Sequence, residues 1–255
     1  MYLKKLIRQI IGDRAYVAAH GLKQRLTQDV APPPAVDSIE RSGAQSEEFW
    51  ATREKDNPGW VRGYWDGRTL PARQAIAEAI AELDAKTVLE VGSHSGANLW
   101  AIDQKKTYAL LAGVELSEHV LDASKELLGG SIRSPFSVQL GNGKRLPFDD
   151  DSFDVVLSSI MLSCVGPENV ESVLKEMVRV SRRYIVMAEP YDDSVEGASA
   201  GGKPDPYPNT TYWVRNYQGL LSKLGVETRR TSLRHIPPAD RIGHLNSIQA
   251  LEILA

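Results

Sequence analysis

Between positions 88 and 99 the sequence reads VLEVGSHSGANL, an apolar run that ends on Glu90 and Val91 and passes straight into Gly92, His94 and Gly96. Glycines placed directly after a buried strand let another group come close to the backbone. The next chemically suggestive acid is Glu115 in GVELS, about 20 residues on, the spacing at which a carboxylate can accept both hydrogens of a ribose diol. A nucleotide-type ligand therefore fits the pattern. A dinucleotide does not, because its G-x-G-x-x-G loop would need glycine at 92, 94 and 97, where this chain has Gly92, His94 and Ala97. The His94 side chain would stand where a pyrophosphate must approach the backbone.

These residues need strands to carry them. From 86 onward, segments of strand and helix character alternate. KTVLEV (86–91), YALLAGVEL (108–116), 134–140, FDVVLSS (153–159), YIVMAE (184–189), VETRRTSL (226–233) and SIQALEIL (247–254) read as strands. Helical spacing falls at 70–84, 97–106, 118–128, 168–181 and 211–224. Such alternation predicts an α/β fold, doubly wound, with a mostly parallel seven-stranded sheet covered on both faces. No helix separates the last two strands, so an antiparallel pair is expected at the end. In such sheets ligands sit at the carboxyl ends of the strands, which is where the Gly92–Gly96 loop lies.

The chain ahead of this domain is of a different kind. Residues 1–45 read as a helical arm, with Leu3, Leu6, Ile7, Ile10 and Ile11 at helical spacing and Lys4, Lys5 and Arg8 between them, followed by the stiff linker APPPAVDS. Residues 46–255 form the expected catalytic-type domain, whose entry is rich in aromatics: FW at 49–50 and PGWVRGYWDGR at 58–68. That stretch reads as a non-periodic cover over a pocket. The polar run 192–209 reads as a loop long enough to be a lid or a mobile segment.

Several motifs together resemble the class I S-adenosylmethionine-dependent methyltransferases. Glu90-x-Gly92-x-His94-x-Gly96 is similar to that family's acidic-x-G-x-G-x-G loop, with histidine in place of the middle glycine. GNGKRLPFDDDSFDVVLSS, from 141 to 159, resembles the family's G-D-A-x-x-L-P-F-x-x-x-S-F-D-V-V stretch, with Asn142 in place of the aspartate. LKEMVRVSRRYIVMAEPY (174–191) looks like its following helix and strand without the usual Pro-Gly-Gly turn. The resemblance spans about residues 86–190 and implies a Rossmann-like methyltransferase fold with S-adenosylmethionine as cofactor. It implies that Glu90 holds the cofactor's ammonium, that Glu115 holds the ribose, and that Asn142 meets the adenine amino group. Asn142 between two glycines is also a natural turn former. Ser93, His94, Asn98, Leu116, Gly143, Ser159 and Tyr64 of the aromatic cover complete the expected cofactor-binding set. Beyond cofactor binding, WVRGYW and TYWVRNYQGLLSKLG (211–225) are faintly similar to a bacterial subgroup acting on sugars or glycan ends.

Methyl transfer from a sulfonium is an in-line displacement in which the protein mainly supplies alignment and a dry pocket. A hydroxyl acceptor is helped by a general base. The candidates are His94 in the loop, His235 near the C-terminus, and Asp192 after the fifth strand, while Cys164 reads as a core thiol. His244 is a further histidine of the same C-terminal region. Ser159 stands where metal-dependent members of the family carry an aspartate, and no other His and carboxylate cluster has metal spacing, so no metal is expected. The segment SSIML lacks the (Asp/Asn)-Pro-Pro-(Tyr/Phe) run of enzymes that methylate base amines. The expected function is methyl transfer to a small-molecule or glycan hydroxyl; the alternative is an inactive methyltransferase-fold scaffold.

Composition narrows the partners. A net charge of −3 over 255 residues gives no field for a polyanion, so no nucleic-acid partner is expected. A single cysteine fits the reducing cytoplasm, and no apolar run approaches the length of a membrane span or a signal peptide. The basic amphipathic arm is suited either to the inner face of an anionic membrane or to burial against the domain or a second subunit.

Overall fold

The computed structural model describes residues 47–52, 59–195, 203–204 and 212–254. The helical arm and its proline linker fall outside the described residues, as does most of the expected loop at 192–209. Helices α1 (Glu47–Thr52) and α2 (Gly59–Asp66) precede α3 (Pro71–Ala81). Then follow β1 (Thr87–Val91), α4 (Ala97–Lys105), β2 (Leu110–Glu115), α5 (Glu118–Gly129), β3 (Phe136–Leu140) and β4 (Phe153–Ser159). The second half runs α6 (Pro167–Val180), β5 (Ser181–Glu189), β6 (Lys203–Pro204), β7 (Trp213–Val214), α7 (Tyr217–Lys223), β8 (Thr228–His235) and β9 (Ser247–Ile253).

Seven strands form one sheet in the order β3-β2-β1-β4-β5-β9-β8. Pairs among the first five are parallel, and β9 runs antiparallel between β5 and β8. The strand order reverses between β1 and β4, so the crevice for a ligand opens at the carboxyl ends of these two strands. β1 and β4 are buried almost throughout because helices cover both faces. Val88, Leu111, Val155 and Leu157 pack on one side with α3 and α4 residues such as Ile76, Ile80 and Leu99. Leu89, Val114, Val156 and Met187 pack on the other with α6 and α7, through Val170, Leu174, Met177 and Leu220. Alternation along β1 puts Glu90 on the same face as Val88, toward α3 and α4.

Two expectations change. The aromatic cover is helical: in α2, Val61 and Trp65 are buried four residues apart, while Trp60 and Tyr64 line the cavity, also four apart. The helix is only two turns long and holds two glycines, so its period, with Arg62, Gly63 and Asp66 on the exposed side, is hard to read from the sequence. The helix expected over 211–224 begins only at Tyr217, because Trp213 and Val214 pair with Pro204 and Lys203 as a short ribbon. Asn216 caps the helix by accepting the Gly219 N–H at 3.0 Å.

Candidate functional site

The crevice at the carboxyl ends of β1, β2 and β4 is a cavity whose floor is the glycine loop. The loop folds back over β2, with the N–H groups of Gly92 and Ser93 both donating to the Val114 carbonyl at 2.8 and 3.0 Å. Gly92 and Gly96 adopt φ of 77° and 74°, the left-handed region that disfavours any side chain. A Cβ at Gly96 would stand 2.6 Å from Leu128 Cδ1, and one at Gly92 would stand 2.7 Å from Met161 Cγ. His94, where the family motif has glycine, sits at φ 45°, and its ring stacks on Tyr64 with centroids 4.3 Å apart. The loop is thereby tied to the cover helix α2.

Two of the lining carboxylates, both beside the glycine loop, differ in how far protein donors satisfy them. Glu115 Oε1 accepts the N–H groups of Leu116 and Ser117 at 2.9 and 3.0 Å, and Oε2 accepts the His94 N–H at 2.8 Å. Three backbone donors fix the group and leave lone pairs for a diol. Glu90 is 1% exposed; its Oε1 accepts Asn98 Nδ2 at 2.6 Å, whereas its Oε2 has no hydrogen-bond partner. Burial pushes Glu90 up to about 8, against the opposing pull of the Asn98 hydrogen bond and the Arg73 charge. An oxygen left without a donor in a cavity wall is what an incoming cation would satisfy.

The sequence candidates separate by place. Glu90, Gly92, Ser93, His94, Asn98, Glu115, Leu116, Asn142, Gly143, Ser159 and Tyr64 all line the one cavity, and Gly96 lies behind it as the left-handed residue before α4. The Asn142 amide oxygen accepts the Lys144 N–H at 2.9 Å, so this side chain forms its own turn at the cavity edge. His235 is exposed at the end of β8, and Asp192 closes a tight turn by accepting the Ser194 N–H and hydroxyl at 2.9 and 2.6 Å. Neither is among the residues that line the cavity. Cys164 is buried and does line the cavity, its thiol donating to the Ile160 carbonyl at 3.1 Å.

Other lining residues come from elements whose role the sequence does not announce. Arg73 in α3 is 6% exposed and donates from Nη1 to Asn98 Oδ1 at 2.7 Å. A basic residue in register with the buried Ala77 and Ile80 is the one signal that would have marked it. Trp50 of α1 also lines the cavity, beside Glu47, which pairs with Lys144. On the β4 side the wall is Ile160, Met161, Tyr212 and Ile242. Ile160 has φ 58°, a strained conformation for a β-branched residue.

Comparison with known proteins agrees with this geometry. Residues 89–184 match the methyltransferase domain family. Over 97 residues the chain is 33% identical to an uncharacterized protein of Haemophilus influenzae, covering 37% of this chain and 38% of that protein. It is 28% identical over 116 residues to a demethylmenaquinone methyltransferase of Thermobifida fusca, covering 46% and 48%. The chain thus spans less than half the length of these curated relatives. Among solved structures, phosphoethanolamine N-methyltransferase 1 of Haemonchus contortus, in complex with phosphoethanolamine and S-adenosylhomocysteine, superposes with TM-score 0.58. Its identity is 17%, covering 86% of this chain and 50% of that one. A chain from the complex of the Haloferax volcanii Trm112 methyltransferase activator with a methyltransferase gives TM-score 0.54 at 17% identity, covering 81% and 94%. The fold is that of the Rossmann-like methyltransferases.

Proposed function

We propose that the chain is an S-adenosylmethionine-dependent methyltransferase acting on the hydroxyl of a neutral small molecule or glycan. The observation that carries the cofactor is the buried, unpartnered Glu90 Oε2 on the wall of a cavity whose other acid, Glu115, is already fixed by three backbone donors. In this reading Glu90 takes the ammonium and Glu115 the ribose diol. Gly92 and Gly96 keep the loop close enough to hold both. When bound, the cofactor supplies a methyl group already activated on sulfur, so the protein's task is alignment and exclusion of water.

The acceptor side is read from its lining. Ile160, Tyr212, Ile242, Trp60 and Tyr64 present apolar and aromatic faces. The described carboxylates of the lining are Glu47, Glu90 and Glu115, and each has a partner or a cofactor role already. A cationic amine acceptor would find no further acid among the described residues, which favours a neutral ring with a hydroxyl. His94 belongs to the cofactor loop and lines the cavity, where its imidazole would accept the hydroxyl proton while the acceptor oxygen displaces the thioether sulfur from the methyl carbon, leaving S-adenosylhomocysteine. The test is calorimetry with S-adenosylmethionine on the wild type and on Glu115→Ala, followed by label transfer from methyl-labelled cofactor to hydroxylated acceptors. Micromolar binding that Glu115→Ala abolishes is expected; no binding by the wild type would refute the reading.

A further inference from the structure

A phenol and a sugar both offer a neutral ring with a hydroxyl, and the cavity treats the two differently. Its β4-side wall is assembled from three parts of the chain that touch one another. Ile160 follows β4, and a Cβ at Gly243 would stand 3.9 Å from Ile160 Cδ1, so the loop between β8 and β9 lies against it. That loop sends Ile242 to the lining, while its His244 meets the Tyr212 ring with centroids 4.8 Å apart. The loop is fixed at its base. The Ile236 N–H donates to the Asn246 carbonyl at 2.8 Å, and the Asn246 amide exchanges two hydrogen bonds with the Tyr191 backbone, both at 2.9 Å. The wall is therefore built before an acceptor arrives, and its side chains are poor partners for hydroxyl groups. Ile160 and Ile242 have no donor or acceptor, and Met161 has only a weakly accepting sulfur. To the same cavity α2 adds Trp60 and Tyr64, ring centroids 6.1 Å apart, with Tyr64 stacked on His94 at 4.3 Å.

We infer that the acceptor is an aromatic ring carrying the hydroxyl, a phenol and not a sugar. The inference rests on the cofactor and acceptor readings given above. A flat aromatic ring buries its faces against rings and branched aliphatic side chains, and needs a partner only for its one hydroxyl. A pyranose can lay one apolar face on an aromatic side chain, but it carries a hydroxyl on most of its carbons. Each of these that is buried without a partner is left unsatisfied. Among the described residues, the side-chain hydroxyls of this wall are those of Ser159 and Tyr212. The chemistry points the same way. A phenol gives up its proton near about pH 10, whereas water, the nearest model for an alkyl hydroxyl, does so near about 15.7, so an imidazole base serves the first far better. In the transfer an electron pair of the phenol oxygen forms the bond to the methyl carbon, the pair of the broken S–C bond stays on sulfur, and the phenolic proton passes to His94.

The experiment is calorimetry on the full chain saturated with S-adenosylhomocysteine, with 2-naphthol and methyl α-glucopyranoside as probes, for the wild type, Tyr212→Phe and Tyr212→Ala. One stranded hydroxyl costs at least about fivefold in affinity, and two cost about 25-fold. The wild type should therefore bind 2-naphthol at least about 25-fold more tightly than the glucoside. Tyr212→Phe keeps the ring and should hold 2-naphthol within about twofold of the wild type, whereas Tyr212→Ala should lose about 3- to 10-fold. A wild-type preference below about 25-fold, no binding of 2-naphthol, or equal 2-naphthol affinities in Tyr212→Phe and Tyr212→Ala overturns the inference while leaving the cofactor reading intact. The comparison on the wild type decides if a variant does not fold. Wild-type protein that does not bind S-adenosylhomocysteine overturns the cofactor reading and this inference with it.

Discussion

Cofactor binding should release a proton, and the pH profile should reveal it. Burial disfavours the charge of Glu90 and pushes its carboxyl up to about 8. The ligand's ammonium needs the carboxylate ionised, a state reached by about one molecule in a hundred at pH 6 and about one in eleven at pH 7. Above that range the ligand's own amine begins to lose its proton, near about pH 8. Multiplying the two fractions gives an affinity for S-adenosylhomocysteine that rises about eightfold from pH 6 to 7, peaks just below about pH 8 and then falls. Calorimetry at pH 6.5 in two buffers of different ionisation enthalpy should show about 0.9 proton released per ligand bound. In Glu90→Gln the acid limb and the proton release should both vanish, with weaker binding throughout. The empty protein should respond in the opposite sense. A carboxyl raised above its unfolded value favours the folded state fully below that value, and this contribution is lost as pH climbs from the ordinary range near 4.5 toward 8. The melting temperature of the free protein should therefore fall over that interval while the increment added by ligand grows. A flat affinity between pH 6 and 7.5, or an acid limb that persists in Glu90→Gln, would refute the assignment of the titrating group.

Three further outcomes follow from particular contacts, and a fourth concerns the N-terminal arm. Glu115→Ala strands the N–H groups of His94, Leu116 and Ser117 and removes the diol acceptor, so ligand affinity by calorimetry should fall about 100-fold or more. Gly96→Ala places a methyl 2.6 Å from Leu128 Cδ1 on a left-handed backbone, and urea unfolding should show a loss of about 1–3 kcal/mol. Arg215→Met leaves the carbonyls of Leu162 and Val165 without their 2.7 Å donors, and should cost about 2–4 kcal/mol in the same assay. If residues 1–30 dock on anionic lipid, deleting them should abolish co-sedimentation with anionic liposomes without changing ligand affinity, and equal sedimentation of both proteins would dispose of that reading.

The parts of the fold that repeat a period were legible, and those that depend on long-range pairing were not. β1, β2 and β4 show as apolar runs because both their faces are covered, and the antiparallel end shows as two strands with no helix between. The pairing of Trp213–Val214 with Lys203–Pro204 has no local signature, so the residues before α7 read as helix. At the site, Glu90, the two glycines and Glu115 were visible because their spacing is set by one strand–loop–helix–strand unit. Arg73 belongs to a helix before that unit, and its meeting with Asn98 requires α3 to pack beside α4. His235 and Asp192 have residue types that suit a base, but where they lie relative to the cavity is set by long-range packing that residue type does not carry, and neither is among the described lining residues.

Behind the β4-side wall, buried polar groups hold the turn that leads into it. Glu189, at the end of β5 and fully buried, accepts the Ser158 hydroxyl at 2.5 Å and the N–H groups of Met161, Leu162 and Ser163 at 3.0–3.1 Å. Arg215, equally buried and just after β7, donates to the carbonyls of Leu162 and Val165. One turn is thus gripped through its donors by an acid and through its acceptors by a base. A strained residue persists only where its surroundings over-determine it, and Ile160, at φ 58°, leads directly into that turn. Burial disfavours the charged form of both grips. An apolar core of the same volume would cost less, but it could not fix three consecutive backbone N–H groups. The difference between the two walls is then one of satisfaction: the Glu189 carboxylate is saturated by protein donors and can only hold structure, while Glu90 keeps one oxygen open and can bind.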